Sequence, residues 1–353
     1  MSLLHCRPIV GILTGEGGQG KIFHGDGTYF KSLQRKMKAM GGFCYVFTLS
    51  GVKDRHVEGF AFSMKKQQWA KISCPYPDVI YNRIASRDEE SREHFQIFKE
   101  QMISAQIPFF NPFFFDKWKV HQVLSKSLHS YLPYTEKVHS ALEIKSFLSS
   151  RSCAYLKPLR SSQGQGIYRI RSAGHHYEVT SVDGTCEFFD KQVFAAKKFP
   201  FYDGYLMQEE MAANTFNHKK YDLRLLALLS GNDFLICGIG VRLAANNQTL
   251  TTHVQNGGSI LSFESVSDRV SMEELQLIVK TAGRELVSHF GQIGEFSMDI
   301  GVTEKGPVIY EVNSKPMSFD ESHIQTHRID KLSDLFLQLS AGTSSLHSQL
   351  PLR

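Results

Sequence analysis

Alternating strand and helix signals predict an α/β fold, and three observations carry the prediction. The apolar run Pro8–Leu13, an amphipathic helical pattern after Gly27 and a second apolar run from Phe43 have the order of a strand–helix–strand unit. Two Ser-x-x-Glu boxes, Ser140–Glu143 and Ser271–Glu274, each open an amphipathic segment. Two β-rich segments, Glu295–Val302 and Val308–Asn313, flank the turn-forming residues Thr-Glu-Lys-Gly-Pro and read as a hairpin.

At 353 residues the chain can hold two or three domains, and 42% hydrophobic with 21% charged residues is an ordinary globular composition. The net charge of +5 is spread as pairs such as Lys65-Lys66 and Lys219-Lys220, which argues against a nucleic-acid partner. Six cysteines without a Cys-x-x-Cys spacing suit a reducing, cytoplasmic setting. No apolar run approaches the ~18 residues of a membrane helix, and the opening segment reads as a strand rather than a secretory signal.

In chain order, the first strand runs into Gly15-Glu-Gly-Gly-Gln-Gly-Lys21, which matches a phosphate loop only formally. Ile22 stands where a Ser or Thr is needed and no helix follows, so a plain turn is expected. Thr28 is the expected N-cap of the first helix, with Phe30, Leu33 and Met37 inward. After a strand from Phe43 to Leu49 and a less regular stretch, Asp78–Arg83 ends a strand at a sheet edge. Arg83 there is either a substrate contact or a surface cation. Five phenylalanines between Pro108 and Phe115 read as a buried connector. Asp116 caps the next helix, which carries Lys119 in its first turn.

Tyr155-Leu-Lys157-Pro leads into a turn containing Ser162, Gly164 and Gly166, where small residues let backbone N–H groups approach an anion. Gln208, Glu209 and Glu210 end a later strand. Asp222 and Arg224 share one side of an apolar strand, as a structural ion pair or an anion site. Arg242 ends the next strand, Asn256 precedes paired glycines, and the helix after Ser271 stops at Gly291. Glu321–Ser340 forms a final docked helix.

With residues 303–307 as the hairpin loop, Val302 faces Val308 and Asp299 faces Glu311, with Asn313 on the same side. Facing carboxylates repel unless a positive charge lies between them. Two acids and an amide suit Mg²⁺, which completes its octahedron with phosphates and waters. The acids also sit among apolar neighbours, including Phe296, Met298 and Ile309, unlike those of a solvated hairpin.

Asp299, then Glu311-Val-Asn313 with Ser-Lys-Pro, resembles the metal hairpin of the ATP-grasp superfamily. Lys119, Lys157 with its glycine turn, Gln208–Glu210, Asp222-x-Arg224, Arg242 and Asn256-Gly-Gly come in that superfamily's order over residues 116–320. The segments VIYNRI, DKWKVHQVL, YDLRLL and SMDIGV through EVNSKP are similar to the YheC/YheD family of endospore coat-associated proteins over nearly the whole chain. Two positions depart from relatives: Ser297 stands where D-alanine:D-alanine ligases carry Arg, and His253 where RimK-type enzymes carry Asn. No particular carboxylate substrate therefore carries over.

The resemblance implies a Rossmann-like domain over 1–115 and a two-lobed ATP-grasp fold: a small lid subdomain over 116–206, a metal-bearing subdomain over 207–342, and a tail over 343–353. It implies ATP and two Mg²⁺, with Mn²⁺ as a substitute. Lys119, Lys157, Ser162, Gly164 and Gly166 would contact phosphates, Gln208 with Glu209 or Glu210 the adenosine, and Asp299, Glu311 and Asn313 the metal. Arg224, Arg242 and Asn256 would serve the transferring phosphoryl group or the carboxylate. The implied activity is a carboxylate–amine ligase acting on a small-molecule or peptide carboxylate, in the cytoplasm or associated with the spore coat. Coat proteins and a second copy of the chain are the implied macromolecular partners. A non-catalytic coat protein and a kinase are the alternatives.

Overall fold

The computed structural model describes residues 6–160, 165–196, 199–202, 204–246, 248–252 and 254–341. Its strands form three six-stranded sheets and one two-stranded ribbon. In the first sheet, Ile9–Leu13 pairs in parallel with Phe43–Val52 and with Val79–Asn82. It is buried along its whole length, as a central parallel strand covered on both faces must be. Helix Gly27–Ala39 covers one face through Tyr29, Phe30, Leu33 and Met37. Its N-cap is Asp26 rather than the expected Thr28, the carboxylate accepting from Thr28 N and Tyr29 N at 3.1 and 3.0 Å. The stretch read as irregular is an antiparallel hairpin, Val57–Ser63 with Gln68–Cys74, at the sheet edge. The glycine-rich Gly15–Lys21 forms a turn within the ribbon Gly15–Glu16/Phe23–His24.

The small sheet is antiparallel throughout and spans Thr135–Val138 to Tyr205–Glu209. Helix Ala141–Ser150, opened by the complete Ser140–Glu143 capping box, covers one face with Ile144, Phe147 and Leu148. Strand Tyr205–Glu209 crosses the expected 206/207 boundary, so the small sheet continues to Glu209. The expected start of the small lobe at 116 also shifts. Helix Lys117–Leu128 buries Val120 and Leu124 in the core of the third sheet, against helix Met272–Phe290.

The third sheet centres on Lys219–Ser230, flanked by Asp233–Leu243 and Glu295–Thr303, with Gly306–Asn313 next. Strand alternation separates its faces. Leu223, Leu225, Phe296, Met298 and Ile300 meet helix Met272–Phe290, which ends at Gly291 with φ +86°. On the other face, Leu226 and Leu228 pack with Ile324, Leu332, Leu335 and Phe336 of helix Ser322–Ser340, which also reaches the first sheet. Arg328 of that helix is fully buried and donates to both oxygens of Glu295 at 2.9 and 2.8 Å. Arg83, expected as a substrate contact or a surface cation, is mostly buried and bonded within the protein: it donates to Glu295 at 3.3 Å and to Pro316 O at 2.9 Å. Lys315 pairs with buried Glu90, a second tie between the first and third sheets.

Candidate active site

Beyond the cover of helix Ser322–Ser340, the same face of the third sheet turns polar and lies under the small sheet. Asp222, Arg224, Asp299, Glu311 and Asn313 occupy this stretch. Asp299 is the register partner of Glu311, and Asn313 that of Ser297. The route to this pairing differs from the expected one. Val302 faces Pro307 instead of Val308, and Thr303 faces Gly306 across a two-residue turn. A bulge then makes Tyr310 an extra residue on the second strand and restores Asp299 to Glu311. Two displacements of one residue cancel.

Each acid already faces a cation. Arg224, the register partner of Asp299 on the next strand, donates Nε to Oδ1 at 2.8 Å and Nη2 to Oδ2 at 3.2 Å. Asp299 thereby holds the Arg224 pKa above its ordinary value. Lys117 Nζ lies 2.6 Å from Glu311 Oε1. Burial would raise the Glu311 carboxyl, but the Lys117 ammonium more than offsets this and holds it below the usual range. Asp222 does not pair with Arg224. It accepts from Thr252 Oγ1 at 2.6 Å, and burial pushes its carboxyl up to about 6.

From the small sheet, Lys157 reaches Gln208 Oε1 at 2.5 Å, and burial lowers its pKa to about 8. Lys157, Gln208, Glu209, Arg224, Asp299 and Glu311 line one cleft, with Tyr310 between the two sheets. Glu209 lies 3.7 Å from Arg151 Nε. Glu210 is directed elsewhere: Arg169 grips it at 3.0 and 2.7 Å and Lys220 lies 3.3 Å away.

Several expected site residues are not brought to the cleft. Lys119 is exposed. Residues two apart on a helix point roughly 200° apart, so Lys117 reaches the acids and Lys119 faces solvent. Arg242 is buried and clamped by Glu321 at 2.5 and 3.0 Å, at the start of the last helix. Asn256 is exposed and donates to Thr251 Oγ1 at 2.9 Å. Gly166 has φ +70°, and a Cβ there would lie 3.0 Å from Pro158 and Tyr205, so turn geometry requires the glycine. Ser162 and Gly164 lie outside the described residues. Lys117 was legible as the residue after the N-cap Asp116, whereas nothing local marks Tyr310 as a bulge.

Among the described residues no three His, Cys, Asp or Glu side chains gather as a closed metal cage. Two facing carboxylates with the Asn313 amide alongside fit the open kind of site, where a hard ion takes its remaining oxygens from phosphates and water. The surrounding cations Lys117, Lys157 and Arg224 are the groups a polyphosphate needs.

A family model described as YheC/D like ATP-grasp matches residues 106–341. Endospore coat-associated protein YheD of Bacillus subtilis (strain 168) is 29% identical over 352 residues, 94% of this chain and 77% of that protein. D-alanyl-alanine synthetase A from Vibrio cholerae superposes with a TM-score of 0.55 at 13% identity, covering 96% of this chain and 99% of that one. ATP-grasp ligase PsnB, solved with a minimal precursor, Mg and ADP, superposes at 0.50 with 11% identity, covering 94% and 97%. The architecture is thus a Rossmann-like domain followed by the two-lobed fold of ATP-grasp ligases, and the chain belongs to the YheC/D-like ATP-grasp family.

Proposed function

We propose that this chain is an ATP- and Mg²⁺-dependent ligase that activates a carboxylate as an acyl phosphate for attack by an amine or similar nucleophile. The observation that carries this reading is the facing pair Asp299–Glu311 in a cleft roofed by Lys157. The two acids and their partners Arg224 and Lys117 are grouped beside a cleft with Lys157, the mixture of carboxylates and cations that a metal-bound polyphosphate needs.

Lys117 and Lys157 hold the phosphates, Glu209 lies toward the adenosine, and Asp299, Glu311 and Asn313 hold the metal. When bound there, the metal would supply charge neutralisation for phosphoryl transfer. Arg224 stabilises the phosphoryl group as it passes from ATP to the carboxylate oxygen with ADP as the leaving group, where positioning and charge are most of the catalysis. The amine nitrogen then forms the new bond to the acyl carbon, the carbon–oxygen bond to phosphate breaks, and the nitrogen loses a proton. The small sheet keeps water from the acyl phosphate.

The acceptor is a small-molecule or peptide carboxylate, supported by the dipeptide synthetase and precursor-peptide ligase of the same fold. The relative's coat-associated name and the free cysteines support a setting inside a spore-forming cell. Screening carboxylate and amine pairs for ADP release tests the proposal. A ligase releases ADP and an amide or ester only when both partners are present. ADP with carboxylate alone, and a stable phosphorylated product, would make the protein a kinase.

A further inference from the structure

The two metal-type carboxylates are already neutralised from within. Arg224 is bidentate on Asp299, and Lys117 lies 2.6 Å from Glu311. The cations come from different elements, one from the neighbouring strand and one from the first turn of helix Lys117–Leu128. The quartet carries no net charge, and Lys157 adds a further positive group in the same cleft.

A divalent ion arriving alone must displace both partners. It then breaks two ion pairs and leaves Arg224 and Lys117 beside itself and Lys157, with Asp222 as a further acid in the cleft, so its attraction to the two carboxylates is offset by repulsion from three cations. A nucleotide changes the balance, because its phosphate oxygens give Arg224 and Lys117 new partners as the carboxylates turn to the metal. Arg224 lines the cleft and Lys117 the adjoining pocket that shares Lys157, Gln208, Tyr310 and Glu311, and both are partly exposed, at 21% for Arg224 and 13% for Lys117, so they can move. Two more deeply buried pairs cannot serve this way: Arg328–Glu295 has no exposed surface and Arg242 is 4% exposed on its side chain.

We propose that Arg224 and Lys117 are place-holding cations that make metal loading conditional on nucleotide. This rests on the nucleotide-binding reading above and adds the order of assembly: metal and nucleotide enter together, and free metal is turned away. Removal of a place-holder opens the carboxylates to free metal.

The test is Mn²⁺ binding followed by electron paramagnetic resonance, on wild type, Arg224→Gln and Lys117→Gln, each with and without a non-hydrolysable ATP analogue. Wild type is expected to bind Mn²⁺ at least about tenfold more tightly with the analogue, a usual coupling strength. Arg224→Gln is expected to bind Mn²⁺ alone about tenfold more tightly than wild type, with a smaller gain from the analogue. Circular dichroism establishes that each variant is folded, and Lys117→Gln tests the same direction independently. Variants that bind free Mn²⁺ no more tightly than wild type would overturn the proposal while leaving the nucleotide reading intact, whereas equal Mn²⁺ affinity with and without analogue in wild type would overturn both the proposal and the metal dependence of the proposed function. A wild type that binds neither analogue nor metal would overturn both.

Discussion

Asp299 stands opposite Glu311 because the strand Gly306–Asn313 carries one residue more than its partner. That residue is Tyr310, whose phenol lies across Gly301 in the cleft floor. A Cβ on Gly301 would lie 2.2 Å from Tyr310 Oη and 2.3 Å from its ring. Gly301→Ala is expected to displace the ring and cost about 1–3 kcal/mol of stability, as overpacking does. Urea denaturation reads the stability, and calorimetry with an ATP analogue should show weaker binding. Unchanged stability and binding would remove Tyr310 from the account.

Lys117 and Lys119 separate by helix geometry alone. Lys117→Ala removes a charge-assisted contact worth roughly 1.5–3 kcal/mol, so analogue binding should weaken by about ten- to a hundredfold. Lys119→Ala should bind the analogue as wild type does. Calorimetry on both variants decides, and the opposite ranking would put the wrong lysine in the site.

Arg328 and Glu295 form a fully buried pair joining the last helix to the acidic hairpin. Arg328→Met leaves the buried Glu295 carboxylate with only Arg83 and Tyr81 as partners and is expected to cost about 3 kcal/mol. Replacing both residues by apolar ones should cost less than the single change. Chemical denaturation of the single and double variants measures this.

Glu210 gives a pH signature. Burial alone would raise its carboxyl, but hydrogen bonds from Arg169 and Cys153 and the charge of Lys220 hold it at about 2, down from 4.5. A depressed carboxyl stabilises the fold fully above pH 4.5, and the contribution is lost as pH falls through about 2. The contribution at neutral pH is on the order of 3 kcal/mol. Glu210→Gln should lose it, so the stability gap to wild type should narrow from pH 6 to pH 2. A gap independent of pH would contradict the assignment.

What was legible in the sequence was local. Apolar runs marked the central strands, Asp116, Ser140 and Gly291 marked helix ends, and alternation put Asp299, Glu311 and Asn313 on one face. What was missed depends on partners far along the chain. The edge hairpin Val57–Cys74 alternates weakly because part of it is solvated. Arg242 read as a free clamp because Glu321, its partner, is 79 residues away. The bulge at Tyr310 is a backbone event with no side-chain signature. Its effect cancelled an error in the expected loop length, so the correct pair followed from an incorrect register.

The most direct test of the central claim is calorimetric binding of a non-hydrolysable ATP analogue, with and without Mg²⁺, to wild type and Glu311→Ala. The account predicts magnesium-dependent binding in wild type that weakens in the variant. A folded wild type that does not bind the analogue, or a variant that binds it with the same magnesium dependence, would contradict it.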